Sequence, residues 1–275
     1  MTTAGPHPVD TSTDAERGAE NARPILIERR AYRASSTQER FIVGRLSAAL
    51  EDAIQRHAKR GGRVMDVGCG GQPLRPMLEA AGMTYIGLDT QAQAGVHTEY
   101  LCAIDGVLPD ALLAEGGFDL IVCTEVLEHV ADWPAAWANL TRLLAPGGVL
   151  IFSAPFFYPL HEEPFDFFRP TKYAVKHWAE RSGLEIVEQR TLGDAWDVLG
   201  TAIAASGPKP ASSWPHAWVS AALARQMRKL LCWFIGTGIP ARLVRTKETM
   251  YLSNIAVLHK PVRGDASHTE HGGGA

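Results

Sequence analysis

Asp66, Gly68, Cys69 and Gly70 fall in the run Asp66-Val67-Gly68-Cys69-Gly70-Gly71, directly after a short apolar stretch. Glycines after a strand permit a sharp turn and let a ligand approach the backbone closely. Free N–H groups at the start of the next helix favour the ligand's polar part. The dinucleotide fingerprint G-x-G-x-x-G is not met, because Pro73 stands where the third glycine belongs. The acid two residues before the first glycine suits a cationic ligand group rather than a pyrophosphate. Nineteen residues after Gly70 come Asp89 and Thr90. A carboxylate there can accept from both hydroxyls of a ribose. Ile104 and Asp105 follow a third strand, and Asp105 could accept from an adenine amino group. A fourth strand ends in Thr124-Glu125-Val126-Leu127-Glu128-His129-Val130.

A second set follows the fifth strand, in Phe156-Phe157-Tyr158-Pro159-Leu160-His161-Glu162-Glu163-Pro164-Phe165-Asp166-Phe167-Phe168-Arg169. In open α/β sheets ligands bind beyond the carboxyl ends of the strands. Aromatics such as Phe165 could wall an apolar acceptor pocket, and Tyr158 could donate to the acceptor. His161 is the first candidate for a general base, since imidazole titrates near working pH. His129 is the second. The alternative reading makes His161, Asp166 and Arg169 a structural network that fixes the loop, with an Asp–Arg pair satisfying a buried charge. No metal site is expected: Glu125 and His129 lie four apart, but H-E-x-x-H is absent. Cys69, Cys102, Cys123 and Cys232 lack C-x-x-C spacing, which argues against a disulfide framework and a structural zinc. The cysteines read as small buried hydrophobes.

These groups need a scaffold, and the periodicity supplies one. Ser36 and Glu39 have capping-box spacing, and Ile42, Leu46, Leu50 and Ile54 recur every fourth residue, which predicts a helix to about Arg60. Strands are predicted over 63–68, 84–89, 118–124, 149–155, 184–190 and 251–260. Helices are predicted over 74–81, from Asp132 to Leu144, and over 171–182. Strands alternating with helices predict a doubly wound, Rossmann-like parallel sheet.

The net charge is −3, which gives no global attraction to nucleic acid. A hydrophobic share of 46 % excludes general disorder. No apolar run approaches the ~20 residues of a spanning helix, and the opening MTTAGPHPVD lacks a signal peptide's features, so a cytoplasmic protein is expected. Residues 1–24 and 263–275 read as disordered tails, 25–62 as an N-terminal helical region, 63–192 and 248–262 as the core, and 193–247 as a helical insertion. That insertion has seven bases against two acids, a local charge of +5, and four of the seven tryptophans. On a helix over 217–235, Val219, Leu223, Met227, Leu230 and Phe234 share one face, opposite Arg225, Arg228 and Lys229. The helix is read first as a lid or pocket wall with a solvated basic face. A homodimer contact and a membrane contact are the alternatives.

In order, DVGCG, Asp89, Asp105, FDLIVCTEVLEHV and LLAPGGVLIFSAP resemble the class I S-adenosylmethionine-dependent methyltransferases, in particular the small-molecule branch whose fourth strand ends in EVLEH. The resemblance covers about residues 60–192 and 250–260. It implies a seven-stranded sheet with one antiparallel strand and S-adenosylmethionine as cofactor, leaving S-adenosylhomocysteine. It implies that Asp66, Gly68, Cys69 and Gly70 surround the methionine part, that Asp89 and Thr90 hold the ribose, that Ile104 and Asp105 face the adenine, and that Thr124 and Glu125 line the inner side. IDGVLP is about one residue shorter than the family pattern. The P-L-H-x-x-P-x-D-x-x-R segment, with Tyr158, His161, Phe165, Asp166 and Arg169, resembles methyltransferases of glycan and secondary-metabolite pathways. It implies O-methylation of a small-molecule acceptor, with N-methylation as runner-up. A nicotinamide-dependent oxidoreductase and a non-catalytic cofactor-binding scaffold are the rivals from other classes.

Overall fold

The structure, a computed structural model, describes residue 34 and residues 36–262. The two expected tails lie outside the described residues, as do 25–33 and 35 of the N-terminal region. Strands β1 (Arg63–Val67), β2 (Thr84–Asp89), β3 (Tyr100–Leu101), β4 (Phe118–Thr124), β5 (Leu144–Pro155), β6 (Glu185–Leu192) and β7 (Ser253–His259) form one sheet. Its order is β3-β2-β1-β4-β5-β7-β6. The first five strands are parallel, and β7 runs antiparallel between β5 and β6. This is the seven-stranded sheet with one antiparallel strand that the sequence implies. The order reverses between β1 and β4, and the crevice beyond their carboxyl ends is where such sheets bind ligands.

Strand residues alternate between two cores, as the two-residue period requires. Val64, Leu120, Val122 and Ile151 face one side, where α1 (Val43–His57) packs Leu46, Leu50 and Ile54. Met65, Ile121, Cys123 and Phe152 face the other, under Trp133, Trp137 and Leu140 of α4 (Trp133–Leu143). The Asp132 side chain accepts from Ala135 N–H and starts α4. Thr171 does the same for Ala174 at the start of α5 (Lys172–Arg181). Two short helices, α2 (Arg75–Ala80) and α3 (Asp110–Ala114), complete the crossovers. The N-terminal helix departs from its expected form at both ends. Its first turn, Glu39–Phe41, is a 3-10 turn, and α1 stops at His57, three residues before Arg60. Strand β5 begins at Leu144, because that residue pairs with Phe118 before a register shift.

The segment before β7 holds α6 (Ala195–Ala205), α7 (Pro215–Gly236) and α8 (Ile239–Leu243). The sequence reading did not anticipate α6. Its cap is a box made by Asp194 and Asp197 rather than the usual Ser/Thr with Glu. The α7 faces are as expected, but their orientation is reversed. Ala221, Cys232 and Ile235 are the buried residues, and Arg228 donates to the Ala204 carbonyl at 2.6 Å. The apolar row Val219, Leu223, Met227, Leu230 and Phe234 is exposed.

Candidate functional site

The glycine turn after β1 is tied to the end of β2. Gly70 N–H donates to Asp89 Oδ2 at 2.8 Å, and Gly68 and Cys69 both donate to the Leu88 carbonyl. Gly68 has φ +70°, and a Cβ there would lie 2.4 Å from Val126 Cγ2. Only glycine lets the turn pass the residue following Glu125. Asp89 Oδ1 accepts from Gln91 N–H at 3.1 Å and from the Thr90 hydroxyl at 3.4 Å. Asp66 is buried, and burial pushes its carboxyl up to about 7 against the opposing hydrogen bond from Tyr85. Cys69 is buried and its thiol is pushed up to about 12, first by burial and then by Asp66 and Asp89. That makes it an unreactive wall rather than a nucleophile.

Beyond β3, Ile104 is buried and its carbonyl accepts from Asn139 at 2.8 Å. Asp105 is half-buried and accepts from Asp132 N–H at 3.4 Å. Thr124 closes β4. Glu125 has φ +54°, and its Oε1 accepts from the hydroxyls of Ser153 at 2.8 Å and Ser253 at 3.0 Å. The Glu125 carboxylate therefore ties β4 to β5 and β7.

Glu128, which the sequence reading gave no role, is fully buried, and neither carboxyl oxygen has a hydrogen-bond partner. Burial and then Glu125 hold its carboxyl well above the usual range. Its backbone carbonyl receives Phe167 N–H at 2.8 Å, which ties this turn to the loop after β5. His129 Nδ1 lies 2.8 Å from the Phe165 carbonyl. A carbonyl only accepts, so Nδ1 carries the proton. The other nitrogen lies 3.8 Å from both Glu128 and Glu162. The donor atoms of Glu128, His129 and His161 lie within 4.8 Å of one another, a grouping not visible from the Glu125–His129 spacing.

The His161 and His129 rings meet edge-on, 4.7 Å between centroids. Tyr158 packs against His161 at 5.2 Å. Asp166 accepts from His161 N–H at 3.0 Å and forms a two-bond pair with Arg169, Nη1 to Oδ1 at 2.5 Å and Nη2 to Oδ2 at 2.6 Å. Arg169 also donates to the carbonyls of Tyr158 and Pro159 at 3.4 Å each. Against the cost of burial, Arg169 and His161 N–H bring Asp166 down to about 2. Burial and then His129 bring His161 down to about 4. His161 is thus a neutral imidazole in a loop stapled by an Asp–Arg pair. The Asp166–Arg169 network that the sequence allows is present, and burial takes His161 well below the working pH near which a general base was expected to titrate.

A family model described as a methyltransferase domain matches residues 39–229, more than half of the chain. The chain belongs to this methyltransferase family. Two curated relatives are ubiquinone biosynthesis O-methyltransferases. The protein from Methylococcus capsulatus is 37 % identical over 110 residues, covering 36 % of this chain and 46 % of that protein. The one from Chromobacterium violaceum is 35 % identical over 116 residues, covering 37 % and 48 %. The chain thus spans about half the length of the curated relatives it matches. The solved structure of the cyclopropane synthase MmaA2 from Mycobacterium tuberculosis aligns with 87 % of this chain and all of that one, at 15 % identity and TM-score 0.48.

The methyltransferase is of class I and its cofactor is S-adenosylmethionine, a cation with a sulfonium and an amino group. The residues present fit it. A buried acid with no cationic partner among the described residues stands near the end of β1, and a turn that a Cβ at Gly68 would jam lies beside it. Asp66 would hold the amino group and Asp89 the ribose.

Proposed function

We propose that the protein moves the methyl group of S-adenosylmethionine to a hydroxyl of a small acceptor held by the loop after β5. The observation that carries this reading is the neutral His161, fixed by Asp166 and Arg169 beside Tyr158. The cofactor, when bound, supplies a methyl group activated on a positively charged sulfur. The protein supplies alignment and proximity, which account for much of the acceleration in such displacements. An alcohol must also lose a proton as it is methylated. His161 is unprotonated at neutral pH and can take it, as a weaker base than the imidazole titrating near working pH that the sequence predicts. The His161 backbone N–H, donated to Asp166 Oδ2, holds that loop position in place, and Tyr158 orients the acceptor. Phe165 and its neighbouring aromatics form the apolar wall.

The curated relatives act on oxygen, which supports O-methylation over N-methylation. The acceptor we assign is a sugar-bearing or other secondary-metabolite or glycan intermediate. We assign the protein to the cytoplasm, a reading supported by four free thiols among the described residues. No described helix is long and apolar enough to cross a membrane. Mass spectrometry of an acceptor panel incubated with protein and S-adenosylmethionine tests the reading. A one-methyl gain on oxygen that falls strongly in His161→Ala is expected. A gain located on nitrogen, or one indifferent to His161, would remove it.

A further inference from the structure

Helix α7 turns its apolar face to solvent. Leu223, Met227, Leu230 and Trp233 each keep 62 % of their surface exposed. The helix is held by its opposite, narrow side, through Ala221, Cys232 and Ile235. Ile239 and Leu243 of α8 are exposed as well. A patch of this kind is a docking surface.

Two features select what docks. From residue 206 to 247 the sequence has seven bases and no acid, and among the described residues none of the seven is in an ion pair. A second copy of the chain would set these bases against their own kind, which costs association energy. On the side where α7 packs, reaching its edge at Trp233, lies a cavity of about 200 Å³ lined by Thr37, Arg40, Arg228, Lys229, Cys232 and Trp233. It offers three cations and a hydroxyl and no carboxylate, and Arg228 Nε is buried without a partner. This is the chemistry of an anion site. An apolar helix face backed by a basic side, with Trp218 and Trp233 exposed, is the pattern of a helix lying in the headgroup boundary of a bilayer.

We propose that α7 docks the protein on an anionic lipid bilayer, with its apolar face against the acyl boundary and a lipid phosphate between Arg40, Arg228 and Lys229. The segment that lines this cavity also reaches the acceptor loop, since Gln38 donates to the Tyr158 hydroxyl at 3.4 Å. Docking therefore brings the acceptor end to the lipid surface. Resting on the methyl-transfer reading, this makes the acceptor a lipid-borne molecule.

The test is co-sedimentation of the full 275-residue chain with vesicles of phosphatidylcholine alone or mixed with phosphatidylglycerol. Binding to the mixed vesicles is expected, at least about tenfold tighter than to phosphatidylcholine and weakened by salt. The double variant Leu223→Asp/Leu230→Asp should lose it, and Lys229→Glu should weaken it about tenfold. S-adenosylhomocysteine affinity, measured on each variant, should stay unchanged. That readout shows the variants are folded and separates failure of docking from failure of the methyl-transfer reading. Equal binding to both vesicles, no binding to either, or a wild-type dimer that the double variant dissociates without any vesicle binding would overturn the proposal.

Discussion

Tyr85 on β2 donates its hydroxyl to the Asp66 carboxylate on β1 across 2.8 Å, and both groups are buried. This bond is the main polar support of an acid that burial pushes up to about 7. A cationic amino group placed beside Asp66 would favour its ionised form. Binding of S-adenosylhomocysteine should therefore release a proton near pH 6 and tighten as pH rises through about 7. Calorimetry in buffers of different ionisation enthalpy reads this directly. In Asp66→Asn the proton release should vanish, and an unchanged release would move the linkage to another group.

Asp89 has one partner in the glycine turn and a proposed second in the cofactor. Its Oδ2 holds Gly70 N–H, and the carboxylate is the group assigned to the ribose. Asp89→Ala removes one or two charge-assisted hydrogen bonds, each worth about 1.5–3 kcal/mol. S-adenosylhomocysteine affinity should fall roughly 10- to 100-fold or more. An affinity within twofold of wild type would leave Asp89 as only the anchor of the glycine turn.

His161 should divide binding from chemistry. His161→Ala should lower turnover by about 10²–10⁴-fold with cofactor affinity intact. Stability offers an independent readout. The imidazole's value is lowered from its ordinary 6.5 to about 4 in the fold, so the unfolded chain binds more protons between these values. His161's contribution is therefore full above about pH 6.5 and is lost as pH falls toward about 4. His161→Asn should flatten that part of the acid-unfolding curve, and an unchanged curve would contradict the burial of a neutral ring.

Neither Glu128 carboxyl oxygen has a hydrogen-bond partner among the described residues, and burial first of all pushes the carboxyl well above its usual range. Its raised value means that stability falls as pH rises above the unfolded value of about 4.3. Glu128→Gln mimics the neutral acid. It should match wild type near pH 5 and exceed it in Tm at pH 8 to 9. A lower Tm across that whole range would show that the ionised carboxylate is stabilising.

The core was legible because its signals are local. Glycines after β1, Asp89 at the end of β2, and strands bounded by turns each follow from neighbours in sequence. The rest depended on partners far away in the chain. Periodicity marked Val219, Leu223 and Leu230 as one face of α7, but the same period fits burial or exposure. The choice is made by Ala221 and Cys232 packing beneath. Glu128 sits between Leu127 and His129 with nothing in its spacing to say that it is buried. Nothing near Glu125 in sequence shows that Ser253, 128 residues away, donates to its carboxylate. The 3-10 first turn before α1 has Ser36 Oγ on Glu39 N–H at 3.3 Å, so the cap was legible and the helix type was not.

The most direct test of the central claim is a titration of the protein with S-adenosylhomocysteine and, separately, with NADH. Saturable one-to-one binding of S-adenosylhomocysteine, weakened by Asp89→Ala, and no binding of NADH are expected. Tight binding of NADH with no response to S-adenosylhomocysteine would contradict it.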